Sequence, residues 1–189
     1  MAESGNCTVA ILSDTHGFLD PRIADRVSQC DYAVHAGDVG GADVLCALQP
    51  IRQVVAVRGN NDTADRWAGS EQRFLENLPL EATLALPGGR LVVVHGDDHR
   101  SLSERHRYLR RQHAGARVIV YGHSHRLFMD TTEEPWVVNP GAAGRVRTHG
   151  GPSCVLLRCE GERWSLEGLQ LPAMRVPDRS AQRRSRPGL

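Results

Sequence analysis

The chain has 189 residues, of which 40% are hydrophobic and 24% are charged, a balance typical of one globular domain and unlike that of disordered, collagen-like or coiled-coil chains. All 23 basic residues are arginine, so mechanisms that need a lysine, such as Schiff-base formation, are excluded. The formal net charge of +1 gives little general attraction to polyanions, and we do not expect strong nucleic-acid binding.

The cysteines and the N-terminal segment indicate the compartment. The five cysteines contain no C-x-x-C pair and lie mostly among apolar neighbours, which is the pattern of unpaired thiols in a reducing compartment. The first ten residues lack the basic region and the long apolar stretch of a signal peptide. The longest apolar stretches, such as 91–94, are far shorter than the roughly 20 residues that cross a bilayer. We therefore expect a cytoplasmic protein without a membrane segment.

Short runs rich in β-branched residues, bounded by Gly, Asp and Asn, predict five buried strands in the first two thirds of the chain. These runs are 9–12, 32–35, 54–57, 91–94 and 118–121. Helical patterns lie between the early strands, at 21–30 and 42–48. This alternation of strand and helix predicts an α/β fold that begins with a parallel sheet.

Residues 101–113 predict an amphipathic helix, because apolar residues recur at helical spacing and Ser101 with Glu104 forms a capping-box pattern. Its other face carries four arginines, which we interpret as a solvated surface.

After residue 121 the helical patterns end, and four further strands are predicted, at 127–131, 136–138, 153–159 and 164–171. We expect them to form a second, largely antiparallel layer. Residues 177–189 contain four arginines and two prolines but almost no apolar side chain. This composition predicts a flexible basic tail after a single domain at 1–176.

Side chains that can bind metal follow each of the five early strands. The junctions read Asp14-Thr15-His16-Gly17, Gly37-Asp38, Gly59-Asn60-Asn61-Asp62, His95-Gly96 and Gly122-His123-Ser124-His125. Because open α/β sheets bind ligands beyond the carboxyl ends of their strands, we expect these side chains to meet in one crevice. One Asp-x-His or His-x-His motif arises easily by chance, whereas five such junctions together indicate a site.

The chemistry of this set indicates the kind of metal. Carboxylate, amide and imidazole ligands without thiolate suit Mn²⁺, Mg²⁺, iron or Zn²⁺ and do not suit copper or iron–sulfur clusters. The remaining histidines show no partner pattern, and we interpret them as structural or surface residues; they are His35, His99, His106, His113 and His149.

These five motifs, in this order and spacing, resemble those of the calcineurin-like metallophosphoesterases. The resemblance is to the small bacterial and archaeal phosphodiesterases, a branch that also includes a retromer subunit, and it covers about residues 7–172. It implies a two-layer β-sandwich flanked by helices, in the order αββα. It also implies a centre of two divalent ions, with Mn²⁺ favoured and Mg²⁺, iron, Ni²⁺ or Zn²⁺ as the alternatives.

The resemblance further implies a complete ligand set. It assigns Asp14, His16 and His125 to the first ion, Asn60, His95 and His123 to the second, and Asp38 to both. Retromer-like relatives lack part of this set and act as binding platforms, so the intact set favours catalysis. The implied reaction is hydrolysis of a small phosphate ester, above all a phosphodiester, by in-line attack of a hydroxide held between the two ions.

The sequence departs from the family pattern at three places. Asn61 stands where many relatives carry a histidine that assists the leaving group, and an amide cannot act as an acid. We therefore regard Asn61 as a candidate phosphate contact only. Asp97 replaces a histidine that is frequent in this branch, and the turn at 141–143 lacks a common serine.

Two other kinds of function stay open at this point. One is a phosphomonoesterase or nuclease with the same metal centre, and the other is a noncatalytic protein-interaction module. The sequence is also compatible with a homo-oligomer, and it does not identify the native metal or the physiological substrate.

Overall fold

The computed structural model describes residues 5–98 and 101–173; the predicted tail at 177–189 lies outside these ranges, and the single domain at 1–176 stays a prediction. The strands of the described residues are β1 Asn6–Leu12, β2 Tyr32–His35, β3 Gln53–Ala56, β4 Glu81–Leu86, β5 Gly89–Val94, β6 Val118–Val120, β7 Leu127–Asp130, β8 Trp136–Pro140, β9 Ser153–Glu160 and β10 Arg163–Gln170. The helices are α1 Pro21–Val27, α2 Ala42–Ala47, α3 Gln72–Glu76 and α4 Leu102–Gln112, and a 3-10 turn at Gly69–Glu71 precedes α3.

The strands form two five-stranded sheets, in the orders β10-β9-β1-β2-β3 and β4-β5-β6-β8-β7. Strands β1, β2 and β3 run parallel in the first sheet, and β5, β6 and β8 run parallel in the second. The other neighbours are antiparallel in both sheets. This arrangement confirms the predicted α/β class, a two-layer β-sandwich flanked by helices.

The predicted division into layers by chain order is wrong. Strands β5 and β6 join the second sheet rather than extending the first. Strands β9 and β10 return to the first sheet, where β9 pairs antiparallel with β1 and aligns Cys7 with Cys159. The physical reason is that β9 has an apolar face that extends the core between the sheets, with Val155, Leu157 and Cys159 in the same cluster as β1. Sheet membership follows this burial and not the order of the strands in the chain.

Strand β1 shows how the layers are held together. Val9 and Ile11 point into the core between the sheets, which they share with Leu91 of β5. Ala10 and Leu12 alternate with them and pack on the outer side, in a cluster that includes Ile23 of α1. Because both faces of the strand are buried, its sequence is apolar throughout and not alternating.

Helix α4 covers the outer face of the second sheet, where Leu109 packs against Ile119 and Tyr121. The predicted solvated arginine face of this helix is wrong for two residues. Arg105 is buried and its Nε lies 3.1 Å from Asp98 Oδ1, and Arg110 Nη2 lies 2.8 Å from an oxygen of Asp130. Arg105 is buried and Arg110 is half-buried, and in both cases a carboxylate compensates the charge of the guanidinium.

Hydrogen bonds join the loops that follow the parallel strands at one end of the sandwich. The backbone N–H of Asp14 donates to Gly37 O over 3.0 Å, which joins the loops after β1 and β2. The backbone N–H of Gly122 donates to His95 O over 3.0 Å, which joins the loops after β5 and β6. His95 Nδ1 lies 2.8 Å from Ala36 O and connects the two sheets. The junctions after β1, β2, β5 and β6 therefore meet at a single edge, and the backbone N–H of Asn61, which donates to Asp38 Oδ1, joins the junction after β3 to them.

Within residues 5–98 and 101–173, no helix combines the length and apolar character needed to cross a bilayer.

Candidate metal centre

A first group of predicted ligands forms a compact cluster at this edge. One ligand atom from each of Asp14, His16, Asp38 and His125 lies within 4.8 Å of the others. The rings of His16 and His125 are stacked, with centroids 5.0 Å apart and their Nε2 atoms 3.2 Å apart. Two carboxylates and two imidazoles at this spacing offer the mixed ligands that suit a divalent cation.

A second group of predicted ligands lies beside the first. Asn60 Oδ1 is 3.0 Å from His95 Nε2 and 3.1 Å from His123 Nδ1. The rings of His95 and His123 meet edge to face, with centroids 5.4 Å apart. Loops from both sheets thus contribute to this group, since Asn60 follows β3 whereas the two histidines follow β5 and β6.

Asp38 lies between the two groups. Its Oδ2 is 3.7 Å from His16 Nε2, and its Oδ1 is 3.5 Å from His95 Nε2. Burial alone would raise the pKa of Asp38, but hydrogen bonds and charge from His95, together with hydrogen bonds from Asn61, lower that pKa well below its usual range. The carboxylate is therefore ionised, and each oxygen faces a different group of ligands.

Asp14 provides the test of whether these residues fit a metal. Its carboxylate is fully buried, and the Ser13 hydroxyl donates to Oδ2. Oδ1 has no hydrogen-bond partner within the described residues and lies 3.3 Å from His125 Nε2. Burial raises the pKa of Asp14 to about 7. A buried carboxylate oxygen without a partner is costly, and a cation beside it removes that cost, so the residues present fit a metal ion.

The hydrogen bonds of the histidines leave their metal-binding nitrogens available. His125 Nδ1 lies 2.9 Å from Val146 O, and His95 Nδ1 lies 2.8 Å from Ala36 O. Because a carbonyl only accepts, both Nδ1 atoms carry a proton, and Nε2 is the nitrogen of each ring that faces the ligand groups. Burial lowers the pKa of His125 to about 4, so this ring is neutral at physiological pH. Backbone support of this kind is usual for histidines that bind metals.

Backbone strain is concentrated on the same residues. Five of the predicted ligands have φ between 48° and 65°, in the left-handed region; they are Asp14, His16, Asp38, His123 and His125. Such a conformation costs a non-glycine residue of order 1–3 kcal/mol and persists only where the surroundings fix it. Two glycines permit the loops to approach each other: a Cβ at Gly59 would lie 2.3 Å from Asp38 Oδ1, and one at Gly122 would lie 2.8 Å from Ser13 Oγ.

Asn61 lies directly behind Asp38. Its side-chain Nδ2 donates to Asp38 Oδ2 over 2.7 Å, and its backbone N–H donates to Oδ1 over 2.8 Å. Its Oδ1 accepts from Arg66. The structure thus gives Asn61 a role in holding Asp38, and its predicted contact with phosphate stays a prediction.

Sequence reasoning missed the role of Asp62. Its buried carboxylate accepts the backbone N–H groups of Val39, Gly40 and Gly59 over 2.9–3.1 Å, and Trp67 Nε1 over 3.1 Å. It thereby ties the loop after β2 to the loop after β3, and these loops carry Asp38 and the Asn60–Asn61 pair. The available signal was its place three residues after Gly59, where an Asp side chain often accepts backbone N–H groups in a turn.

His35, interpreted above as structural, supports the centre from within the core. The Thr15 hydroxyl donates to Val39 O over 2.9 Å, so Thr15 Oγ1 accepts the Nε2–H of His35, also over 2.9 Å. The other nitrogen, Nδ1, is buried and has no hydrogen-bond partner among the described residues. Burial lowers the pKa of His35 to about 4, because a second proton would have no acceptor.

The pKa of His35 predicts a pH dependence of stability. Between about pH 6.5 and pH 4 the unfolded chain binds a proton that the folded protein excludes, so the free energy of unfolding should fall as the pH falls through this window. The contribution is about 1.4 kcal/mol per pH unit for each such proton. Denaturant unfolding of the wild type and of His35→Asn, at several pH values, measures it. The variant should have the smaller slope, the exposed-residue control His149→Asn should keep the wild-type slope, and equal slopes in all three proteins would refute the assignment.

The comparisons with known proteins agree with this geometry. The model of the calcineurin-like phosphoesterase superfamily domain matches residues 8–162. A protein described as a probable metallophosphoesterase, from Methanothermobacter thermautotrophicus, is 30% identical over 171 residues, which span 84% of this chain and 90% of that protein.

Two solved structures share the fold at lower sequence identity. An archaeal phosphodiesterase superposes with a TM-score of 0.63 and 20% identity, over 86% of this chain and 99% of its own. Vps29 from Entamoeba histolytica, complexed with Zn²⁺, superposes with a TM-score of 0.65 and 17% identity, over 87% of this chain and 98% of its own.

Proposed function

The chain belongs to the calcineurin-like phosphoesterase superfamily, and from this membership and the geometry of the site we propose that it hydrolyses small phosphodiesters with the help of two divalent metal ions. One observation carries the proposal. Asp38 presents one oxygen to each of two adjoining ligand groups, and the first group contains a buried oxygen of Asp14 that has no partner within the described residues. The buried Asp14 oxygen is costly unless a cation binds beside it, and the ionised Asp38 supplies negative charge to both groups.

The proposed ligand sets follow the two groups. Asp14, His16 and His125 hold the first ion, Asn60, His95 and His123 hold the second, and Asp38 is shared. When bound, a pair of divalent ions supplies a hydroxide for in-line attack at neutral pH and neutralises charge on the phosphoryl oxygens. The ionised Asp38 offsets the repulsion between two such cations. Mn²⁺ is the first candidate, and Mg²⁺, iron, Ni²⁺ and Zn²⁺ are the alternatives for these oxygen and nitrogen ligands.

The surroundings of Asn61 support a preference for activated esters. An acid that protonates the leaving group typically contributes about 10²–10⁴-fold to the rate, and an amide at this position supplies none. One N–H of the Asn61 amide is donated to Asp38, and we assign the second N–H to a phosphoryl oxygen of the substrate. Aryl leaving groups need little protonation, so aryl diesters should react faster than alkyl monoesters. The fold shared with an archaeal phosphodiesterase supports the diester class.

The cellular setting belongs to the same proposal. All five cysteines are free thiols, which is typical of a reducing compartment and supports the cytoplasm. The net charge of +1 supports a small ester rather than a nucleic acid as the substrate.

A substrate panel tests the proposed function. Protein stripped of metal with a chelator and reloaded with each of the five candidate ions is assayed on bis(p-nitrophenyl) phosphate, p-nitrophenyl phosphate and alkyl esters of both types. We expect hydrolysis only after reloading, and the fastest turnover with the aryl diester. Equal turnover of aryl monoester and diester would refute the diester preference. No hydrolysis with any ion would refute catalysis and favour a noncatalytic protein-interaction module.

A further inference from the structure

An arginine outside the predicted ligand set contacts the centre. Arg147 lies in the loop between β8 and β9, and its Nη2 is 3.0 Å from Nε2 of His125. The same loop is fixed to the centre by the preceding residue, because Val146 O accepts Nδ1–H of His125 over 2.9 Å. Arg147 itself has φ of 51°, in the left-handed region that five predicted ligands also adopt.

The contact between Arg147 and His125 uses an atom that the metal needs. Nδ1 of His125 carries the proton, so Nε2 of this neutral ring has one lone pair, which accepts a hydrogen bond from the Arg147 guanidinium. In the proposed function this lone pair binds the first ion. One lone pair cannot bind both the ion and the guanidinium, and the two positive charges would repel each other at this distance. The guanidinium of Arg147 must therefore leave Nε2 of His125 when the ion binds.

The displaced guanidinium stays close to the centre. Arg147 directly follows Val146, whose carbonyl accepts a hydrogen bond from Nδ1 of His125. Because this bond does not involve Nε2, the metal-binding nitrogen, it is kept when the ion binds and holds the backbone of Arg147 near the centre. Within residues 5–98 and 101–173, no carboxylate forms an ion pair with Arg147, so no fixed partner holds it elsewhere. The side chain is exposed and lies beside the first group of ligands.

The chemistry of this group matches the proposed substrate. A guanidinium presents planar, forked N–H donors that pair with two phosphate oxygens at once. Because the chain contains no lysine, arginine is the cationic side chain that can take this part. The neighbouring Arg145 differs, since its guanidinium carbon lies 3.3 Å from the ring centre of Phe18.

We propose, on the basis of the proposed function, that Arg147 binds the phosphoryl group of the substrate. Its guanidinium and the first ion compete for the same nitrogen of His125, so the arginine is free to bind phosphate when the ion holds Nε2.

The experiment compares wild type with Arg147→Gln, Arg147→Lys and the matched control Arg145→Gln. Calorimetric titration of each metal-free protein with Mn²⁺, and then of each metal-loaded protein with inorganic phosphate, gives both affinities. Arg147→Gln should bind Mn²⁺ at least as tightly as wild type because a competitor is removed. Its affinity for phosphate should fall by about 10-fold or more, because a hydrogen bond from a charged group is lost. The phosphate affinity of Arg147→Lys should lie between those of wild type and Arg147→Gln, because lysine keeps the charge but lacks the forked N–H donors. Arg145→Gln should match wild type in both titrations.

Each contrary outcome has a distinct meaning. Wild-type phosphate affinity in Arg147→Gln would overturn the inference and leave the proposed function standing. Parallel loss of Mn²⁺ and phosphate binding in that variant would show that Arg147 only holds the loop, and an equal loss in Arg145→Gln would show a general effect of charge; either result overturns the inference. A wild type that binds no Mn²⁺ and cleaves no ester would overturn the proposed function and this inference together.

Discussion

Replacing Asp38 with alanine is expected to abolish the binding of both metal ions and to reduce phosphodiester hydrolysis by more than about 100-fold. Loss of a residue that only hydrogen-bonds to a metal ligand typically costs about 10–100-fold, and Asp38 is proposed as a ligand itself. The reason is geometric, because the two oxygens of Asp38 face different groups, 3.7 Å from His16 Nε2 and 3.5 Å from His95 Nε2. Its removal takes one ligand from each ion and the shared negative charge that offsets their repulsion.

Two further variants make this prediction specific. Asp38→Asn keeps the shape but loses the charge, so it should also fail to hold two ions. His125→Ala removes a ligand of the first group alone, and it should lower occupancy mainly by one ion. Metal content after equilibrium dialysis, measured by mass spectrometry beside the hydrolysis rate, distinguishes these cases. Two ions per chain and wild-type activity in Asp38→Ala would refute the assignment of Asp38 as the ligand that both ions share.

Replacing Asp62 with alanine is expected to destabilise the fold by about 3 kcal/mol or more. Three of the N–H donors bound by its carboxylate, those of Val39, Gly59 and Trp67, are buried. Each buried donor left without a partner costs about 1–3 kcal/mol. For a domain of this size a loss of 3 kcal/mol lowers the midpoint of thermal unfolding by about 6–12 °C.

Chemical and thermal denaturation of matched variants measures this effect. Asp62→Asn retains one acceptor oxygen, so its free energy of unfolding should lie between those of Asp62→Ala and wild type. Asp25→Ala removes an exposed carboxylate from α1 and should change the free energy of unfolding by no more than about 0.5 kcal/mol. If Asp62→Ala were as stable as Asp25→Ala, the carboxylate would not be holding the two loops together.

Local sequence patterns were enough to place the candidate centre. Apolar β-branched runs mark the buried parallel strands, and the carboxyl ends of such strands meet at one edge of a sheet. Asp14, His16, Asp38, His95 and His125 follow those runs, so their convergence requires parallel strands within each sheet and two sheets that present these strand ends at the same edge. The metal-binding roles of these residues are still predictions that the variants above test.

What the sequence did not predict depends on contacts between distant segments. The pairing of β9 with β1 joins residues about 150 positions apart, and periodicity identifies a buried face without identifying its neighbour. Strand β4 was missed because its alternating pattern contains alanine and glutamate, which are weak strand formers; the Pro87-Gly88 turn after it and the alternation of Leu84 and Leu86 were the available signals.

The contacts of Asp62 and Arg147 could not be predicted for a related reason. The partners of Asp62 are mostly backbone N–H groups of other loops, and every residue except proline carries such a group, so no residue type marks them. The contact of Arg147 with His125 depends on the path of the loop between β8 and β9.

The two-metal site is tested most directly by the number of ions that the wild type binds and by the activity of the same samples. Chelator-treated protein is dialysed against increasing Mn²⁺, and each sample is analysed for metal and for hydrolysis of bis(p-nitrophenyl) phosphate. We expect two ions per chain at saturation, with hydrolysis that rises as the ions bind and disappears when the chelator is restored. Binding of no ion, or hydrolysis that is independent of metal content, would contradict this expectation.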